Sequence, residues 1–253
     1  MRVYFVGAGP GDPELLTVKA AGLLREARWC IYAGSLINPA LLDLLPETAQ
    51  REDSASMSLD QIVDRFRQAQ EQDIDVVRLH TGEPSLYGAI GEQMDVLDRM
   101  GIAYEVVPGI SAFQAAAAAL RVELTAPEVA QTVILTRAPG RTPMPPTESL
   151  AVLAASQATL CLFLSIDKTA SLASELAPHY GWDCPAAVVV RASWPDEVVL
   201  RGTLADIGQQ TAAAGVTRTG MLLVGRALAR PQVHVSKLYD RNFSHAYREG
   251  TPP

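Results

Sequence analysis

Short apolar runs alternate with amphipathic stretches through the first half of the chain. Each run has the length and composition of a buried strand, and each is followed by a segment with the apolar spacing of a helix. The second of these helices opens with Ser58 and Gln61 in the spacing of a capping box. Repeated strand–helix alternation indicates a parallel sheet. The predicted strands are residues 3–6, 29–33, 75–80 and 103–107, and the predicted helices are residues 14–27, 58–72, 87–100 and 111–120.

The pattern changes at residues 121–131, a mixed segment without helical spacing. Beyond it the strands 186–190 and 197–200 lie too close together for a crossover helix, which predicts an antiparallel pair. The expected fold class is therefore α/β, with an N-terminal α/β domain at residues 1–122 and a C-terminal α/β domain at residues 123–253. Further strands are predicted at 132–136, 159–164 and 221–224, and helices near 147–155, 168–180 and 204–213.

The composition predicts a cytoplasmic protein without nucleic acid, membrane or metal as a partner. Hydrophobic residues form 48% of the chain, enough for a packed core, and the formal net charge of −7 lacks the basic face that phosphates require. No signal peptide is predicted, and the longest uncharged apolar stretch, residues 112–120, is too short to span a bilayer. The cysteines show no paired spacing and the histidines no ligand spacing, so we expect reduced thiols and no metal.

The first predicted strand runs into a glycine-rich turn at residues 7–13, with the sequence GAGPGDP. The turn is similar to a dinucleotide-binding fingerprint, but Asp12 stands where the third glycine is needed. A carboxylate repels a pyrophosphate, and Pro10 and Pro13 each remove a backbone donor. The turn therefore predicts a nucleoside ligand without phosphates and disfavours a dinucleotide-dependent oxidoreductase.

Three loops rich in glycine and proline follow predicted parallel strands. They are residues 7–13, 81–88 and 108–112. Because the carboxyl ends of parallel strands meet at one edge of a sheet, these loops are expected to line a common ligand site. The third loop ends at a predicted helix N-terminus near Ser111, which favours an anionic group such as a carboxylate.

The same loops carry a resemblance to a known family. The segments VGAGPGDPELLTVKA (6–20), TGEPSLYGAIGEQM (81–94) and VVPGISAFQAAAA (106–118) resemble the tetrapyrrole methyltransferases, which use S-adenosylmethionine. The resemblance extends nearly from end to end of the chain. It implies two α/β domains with an active-site cleft between them, a bound methyl donor, and a homodimer.

Three further segments narrow the resemblance within the family. YAGSL (32–36), RASWPDE (191–197) and SKLYDRNFSHAYR (236–248) are similar to the branch that methylates C11 of precorrin-4 in cobalamin synthesis. A cobalt-bearing precorrin-4 and another corrin position remain alternatives. A rival of a different class is a non-catalytic protein that binds S-adenosylmethionine or a tetrapyrrole. Methylation of rRNA or of a diphthamide precursor is disfavoured by the corrinoid-like segments and the net charge.

The resemblance also implies individual site residues. A base that removes a ring N–H proton makes the acceptor carbon more nucleophilic. The loops themselves offer Glu83 and Tyr87 as the expected catalytic residues, and His80 and Ser35 remain alternative bases. Family members commonly have Asp where this chain has Glu83. The acceptor's carboxylates need local cations in an acidic protein, and the C-terminal tail, which is rich in basic and aromatic residues, offers them. The expected substrate contacts are Ser35, Lys237, Arg241 and Arg248, and the expected donor contacts are Pro10, Thr81, Gly82, Glu83, Leu86, Ser111, Ala112, Leu164 and Ala192.

Overall fold

The computed structural model describes residues 1–140, 142–229 and 239–251, and leaves out the side chain of Ser35. The described residues form two compact units. The first consists of Met1–Ala116 and Arg191–Glu197, and the second of Ala117–Val190 and Val198–Pro253. The sequence predicts a single division after residue 122, whereas in the structure the chain returns to the first unit for the seven residues Arg191–Glu197.

The first unit is built on a five-stranded parallel sheet with the strand order β3-β2-β4-β1-β5. The parallel sheet predicted from the strand–helix alternation is confirmed. One strand of this sheet was not predicted from the sequence, because all four residues of β3 are polar and show no hydrophobic strand pattern. It is an edge strand, where polar residues are tolerated. The strands are β1 (Arg2–Gly7), β2 (Trp29–Tyr32), β3 (Gln50–Asp53), β4 (Val76–His80) and β5 (Ala103–Val107).

The helices of the first unit are α1 (Val18–Glu26), α2 (Pro39–Leu42), α3 (Leu59–Glu71), α4 (Gly91–Met100) and the first residues of α5 (Ala112–Leu120), which continues past Ala116 into the second unit. The predicted capping box of α3 is present, with reciprocal hydrogen bonds between Ser58 and Gln61. Helices α1 and α4 start four residues later than predicted, at Val18 and Gly91. Before α1 the chain forms a separate 3-10 turn. Before α4, Tyr87 adopts a left-handed conformation that a helix does not accommodate.

Both faces of the first sheet are covered by apolar side chains. One face packs against α3 and α4, and the apolar cluster between them includes Phe5, Trp29 and Phe66. The other face packs against α1, and the cluster there includes Leu24 and Leu79. Cys30 belongs to this second cluster, where its thiol is free and fully buried. Burial on both faces explains why the central strands appear in the sequence as continuous apolar runs.

The second unit is built on a mixed sheet with the order β6-β7-β10-β8-β9, in which β6 and β7 are parallel and the other pairs are antiparallel. The predicted antiparallel pairing of β8 with β9 is confirmed. Cys161 and Cys184 are free and buried in this unit. The elements are β6 (Val133–Arg137), α6 (Leu150–Ala154), β7 (Thr159–Phe163), α7 (Thr169–Tyr180), β8 (Pro185–Val190), β9 (Val198–Thr203), α8 (Ile207–Ala213) and β10 (Gly220–Val224). Within the described ranges, no helix is both long and apolar enough to cross a membrane.

Candidate active site

The first two glycine loops meet at the carboxyl edge of the first sheet. The N–H of Gly82 donates to the carbonyl of Gly9 at 2.9 Å, and the N–H of Gly9 donates to the carbonyl of Gly82 at 3.3 Å. The N–H of Ala8 donates to the carbonyl of His80 at 2.7 Å and continues the pairing of β1 with β4. The expectation that these loops share one edge is thus met by direct backbone hydrogen bonds between them.

The third loop packs on the first two because Gly109 has no side chain. A Cβ on Gly109 would lie 2.2 Å from the carbonyl oxygen of Gly82 and 2.8 Å from the Cα of Gly7. A Cβ on Gly7 would lie 2.6 Å from the Cα of Gly109. Neither approach is possible for another residue. The glycines therefore permit the close approach of all three loops.

Glu83 connects the second loop to the third. Its Oε2 accepts a hydrogen bond from the N–H of Gly109 at 2.8 Å, and its Oε1 accepts one from the N–H of Ser85 at 2.9 Å. Burial raises the pKa of this carboxyl, but the hydrogen bonds from Ser85 and Gly109 outweigh burial and hold the pKa below its usual value. Glu83 is accordingly ionised at neutral pH and fixes the geometry of both loops.

The second loop is held in a strained conformation. Tyr87 has φ of 58° and Ala89 has φ of 49°, both in the left-handed region that side chains rarely adopt. Gly88 lies between them, and a Cβ there would be 2.1 Å from the carbonyl oxygen of Pro84. Tyr87 is 45% exposed, which leaves a polar aromatic ring at the surface of the loop. Strain of this kind is concentrated at ligand sites.

A chain of buried hydrogen bonds supports this loop from below. Arg78 of β4 is 5% exposed; its Nε donates to Oε1 of Gln93 at 3.2 Å, and its guanidinium also donates to the carbonyl of Ile31 at 3.2 Å. The Nε2 of Gln93 donates to the carbonyl of Ala89 at 3.0 Å. Burial lowers the pKa of Arg78 to about 10. This support was not predicted from the sequence, although a charged residue inside the apolar strand VVRLH indicates it.

His80 ends β4 directly before the second loop. The side chain is buried, its ring lies 5.9 Å from that of Phe5, and within the described part of the chain its Nε2 has no hydrogen-bond partner. Burial and, to a lesser extent, the positive charge of the neighbouring Arg78 lower the pKa of His80 to about 3. The imidazole is therefore neutral at neutral pH and a weak base.

Both Asp12 and Ser111 lie at helical starts. Asp12 accepts a hydrogen bond from the N–H of Glu14 at 2.9 Å and caps the 3-10 turn Pro13–Leu15. Ser111 is buried, and its N–H donates to Oε1 of Gln114 at 2.9 Å at the beginning of α5. The carboxylate that excludes a pyrophosphate thus serves as a helix cap.

The segment Arg191–Glu197 lies against the first loop. The indole Nε1 of Trp194 donates to the carbonyl of Pro10 at 2.8 Å, and the N–H of Asp12 donates to Oγ of Ser193 at 3.1 Å. Ala192, which is buried, belongs to this segment. These contacts were not predicted from the sequence, because neither segment has a local sequence pattern that indicates a contact with residues more than 180 positions away along the chain.

The first unit contains most of the predicted donor contacts: Pro10, Thr81, Gly82, Glu83, Leu86, Ser111, Ala112 and Ala192. Leu164 belongs to the second unit, where it directly follows β7 with φ of 52° and 71% exposure. A large apolar residue that is both strained and exposed is unusual in a folded protein.

The predicted substrate contacts are less concentrated. Ser35 lies in the 3-10 turn Gly34–Leu36 that follows β2, and Lys237 lies outside the described residues. The guanidinium of Arg248 donates to the carbonyls of Asp240 and Phe243 at 2.5 and 3.4 Å, and the backbone carbonyl of Arg241 accepts from Thr251 at 2.8 Å. Among the described residues there is no group of three or more acidic, histidine or cysteine side chains that could hold a metal ion.

The sequence profile of the family named Tetrapyrrole (Corrin/Porphyrin) Methylases matches residues 2–208. The chain belongs to this family. The resemblance identified from the loop segments is therefore confirmed.

Similar members of the tetrapyrrole methylases include a curated protein and two solved structures. The precorrin-4 C(11)-methyltransferase of Pseudomonas aeruginosa is 50% identical over 250 residues, which are 99% of this chain and 100% of that protein. A solved cobalamin biosynthetic enzyme, a cobalt precorrin-4 methyltransferase, is 42% identical, has a TM-score of 0.88, and is matched over 90% of this chain and 95% of its own.

The second solved structure is a uroporphyrin-III C-methyltransferase from Thermus thermophilus complexed with S-adenosylhomocysteine. It is 29% identical, has a TM-score of 0.76, and is matched over 91% of this chain and 94% of its own. The predicted α/β fold class with two sheets is confirmed by these structures.

Proposed function

We propose that this protein is an S-adenosylmethionine-dependent C-methyltransferase that methylates C11 of precorrin-4, giving precorrin-5, in cobalamin biosynthesis. The observation that carries the proposal is 50% identity over the whole length of a precorrin-4 C(11)-methyltransferase. Cobalt-precorrin-4 is the second candidate acceptor, because a solved enzyme named cobalt precorrin-4 methyltransferase is 42% identical to this chain.

The geometry of the first unit supports S-adenosylmethionine as the methyl donor. When bound, it supplies an activated methyl group on a sulfonium, so the protein mainly has to align the donor with the acceptor. The joined loops around Gly9, Gly82 and Gly109 present backbone groups at one edge of the sheet. The start of the nine-residue helix α5 favours the donor's carboxylate. We assign the donor contacts to the residues predicted for them, including Leu164.

The chain offers two groups for the acceptor's ring protons, Glu83 and Tyr87. The Glu83 carboxylate accepts two backbone hydrogen bonds and one from the Ser85 side chain, which leaves one of its about four acceptor positions. It can therefore accept a hydrogen bond from an acceptor N–H, although its lowered pKa makes it a weak base. The exposed Tyr87 side chain lies on the same strained loop.

Several finer features belong to the same proposal. Ser35, Lys237, Arg241 and Arg248 are proposed to bind the acceptor's carboxylates, and the domain boundary is proposed to follow residue 122. The protein is proposed to be a homodimer, as the family resemblance implies. A cytoplasmic location is supported by three cysteines that are all buried and unpaired, as expected for thiols kept reduced.

The test is incubation of the purified protein with precorrin-4 and methyl-labelled S-adenosylmethionine, in parallel with cobalt-precorrin-4. Mass spectrometry counts added methyl groups, and carbon NMR locates them. We expect one added methyl at C11. A methyl at another position would contradict the assignment to C11. Binding of S-adenosylhomocysteine and precorrin-4 without any transfer would identify a non-catalytic binding protein.

A further inference from the structure

The backbone of the first loop is fixed by side chains from distant parts of the first unit. The carbonyl of Pro10 accepts from Nε1 of Trp194 at 2.8 Å, and the carbonyl of Gly11 accepts from Nδ2 of the buried Asn38 at 2.9 Å. The N–H of Asp12 donates to Oγ of Ser193 at 3.1 Å. Three successive residues of the loop are therefore each tied by a side chain more than 25 residues away along the chain.

Trp194 is the largest of these supports and fits against a single position of the loop. Its side chain is buried, with 8% of the residue exposed. A Cβ on Gly11 would lie 2.0 Å from the indole Nε1 and 2.1 Å from Cδ1. The indole thus occupies the volume that a side chain at position 11 would need. Gly11 also has φ of 152°, which favours glycine for a second reason.

The segment that carries Trp194 is itself rigid. Arg191 and Ser193 have φ of 49° and 70°, and such conformations persist only where the surroundings impose them. The guanidinium carbon of Arg191 lies 4.1 Å from the centre of the Trp194 ring. Nη1 of the same guanidinium forms an ion pair with Oδ2 of Asp196 at 2.7 Å. The N–H of Ser193 donates to Oε2 of Glu197 at 2.7 Å. The indole is therefore presented from a constrained turn.

We propose that Trp194 is a positioning residue that holds the first loop, at Pro10 and Gly11, in the conformation that binds the methyl donor. The inference rests on the proposed function, in which Pro10 contacts the donor. A loop that is held before binding loses less conformational entropy when the ligand arrives, so its effect is on donor affinity. Trp194 touches the loop and acts through it, and the acceptor site has no part in this role.

The test compares Trp194→Phe with the wild type and with Trp182→Phe. Phe keeps a six-membered aromatic ring and removes the indole N–H that bonds to Pro10, together with part of the bicyclic ring system. Trp182 is 54% exposed and carries the matched change in the second unit. Loss of one neutral hydrogen bond predicts about three- to tenfold weaker binding of S-adenosylhomocysteine by titration calorimetry. The KM for S-adenosylmethionine is expected to rise by the same factor, with kcat and the KM for the acceptor unchanged.

Ser193→Ala removes the second tie to the loop and is expected to weaken donor binding about threefold, which tests the inference even if Trp194→Phe folds poorly. If Trp194→Phe and Ser193→Ala bind S-adenosylhomocysteine as tightly as the wild type does, the inference is overturned and the proposed function stands. A lower kcat together with higher KM values for both the donor and the acceptor, and a lower thermal midpoint, would also overturn it by showing a general structural role. A wild type that does not bind S-adenosylhomocysteine would instead overturn the proposed function itself.

Discussion

Glu83 shows how one side chain can join two loops of a site. Its carboxylate accepts backbone hydrogen bonds from two loops that follow different strands. The side chain of Glu83 is long enough to reach from the second loop to the N–H of Gly109 in the third. Because the hydrogen bonds lower the pKa of Glu83, they also make the folded state depend on pH.

Substitution of Glu83 by Gln is expected to destabilise the first unit at neutral pH, because the hydrogen bonds from backbone N–H groups are stronger to a carboxylate than to an amide. The pKa of Glu83 is lower in the folded state than its usual value of 4.5. The difference in thermal midpoint between wild type and Glu83→Gln is therefore full above pH 4.5 and is lost as the pH falls through the folded-state pKa.

The matched control is Glu175→Gln, at an exposed position of α7 in the second unit. Its thermal midpoint is expected to stay close to that of the wild type at every pH. A Glu83→Gln protein that differs from the wild type equally at pH 7 and at pH 3 would contradict the assigned electrostatic role.

His80→Phe is expected to make the protein more resistant to acid. The pKa of His80 is about 3 in the folded state and 6.5 ordinarily, so the unfolded chain binds the proton first and stability falls from pH 6.5 downwards. Phe cannot bind this proton, and no hydrogen bond of Nε2 is lost. Acid titration followed by circular dichroism should show a lower unfolding pH for His80→Phe than for the wild type or the control His179→Phe. An unchanged unfolding pH would show that His80 takes no part in acid unfolding.

At the scale of elements, the loops after β1, β4 and β5 act as one packed assembly. The contacts at Gly7 and Gly109 leave no room for a Cβ, and Gly82 has a φ of 62° that side chains rarely adopt. This packing was accessible to sequence reasoning in outline, because the three loops follow neighbouring parallel strands. The mutual fit of their backbones could not be predicted from the sequence, because it depends on distances between atoms.

Gly109→Ala is expected to be strongly destabilising, by about 3 kcal/mol or more, since the new Cβ would meet backbone atoms that cannot move aside. Gly91→Ala is the control. Gly91 is the first residue of α4, and a Cβ there meets nothing within 4 Å, so this change should be neutral or stabilise by about 0.5–1 kcal/mol. Urea unfolding measures both. Equal stability of the two variants would contradict the packing described for the loops.

The elements that sequence reasoning predicted well are those with a strong apolar pattern. The central strands β1, β2 and β4 are largely buried, and their mainly apolar runs are clear signals. β3 lacks that signal because it is a polar edge strand. The start of α4 was displaced because Tyr87 and Ala89 adopt left-handed conformations that residue preferences do not predict. The contact of Trp194 with Pro10 depends on tertiary folding across 184 positions.

For the whole molecule, the proposed donor site predicts a ligand-dependent stability. A ligand that binds only the folded state, at 100 times its dissociation constant, stabilises by about 2.7 kcal/mol. For a chain of 253 residues this corresponds to a rise in thermal midpoint of about 5–10 °C. S-adenosylhomocysteine should produce this shift in differential scanning fluorimetry, whereas adenosine diphosphate should produce none. A shift with the diphosphate alone would favour the disfavoured dinucleotide-type ligand.

The buried cysteines allow the opening of each unit to be timed separately. Burial raises the pKa of Cys30 and of Cys161 to about 12 and that of Cys184 to about 11, so folded molecules expose almost no reactive thiolate. Alkylation then proceeds only as fast as a unit unfolds around its thiol. Cys30 belongs to the first unit, and Cys161 and Cys184 belong to the second. Peptide mass spectrometry of a single labelling time course of the wild-type protein therefore gives a separate unfolding rate for each unit.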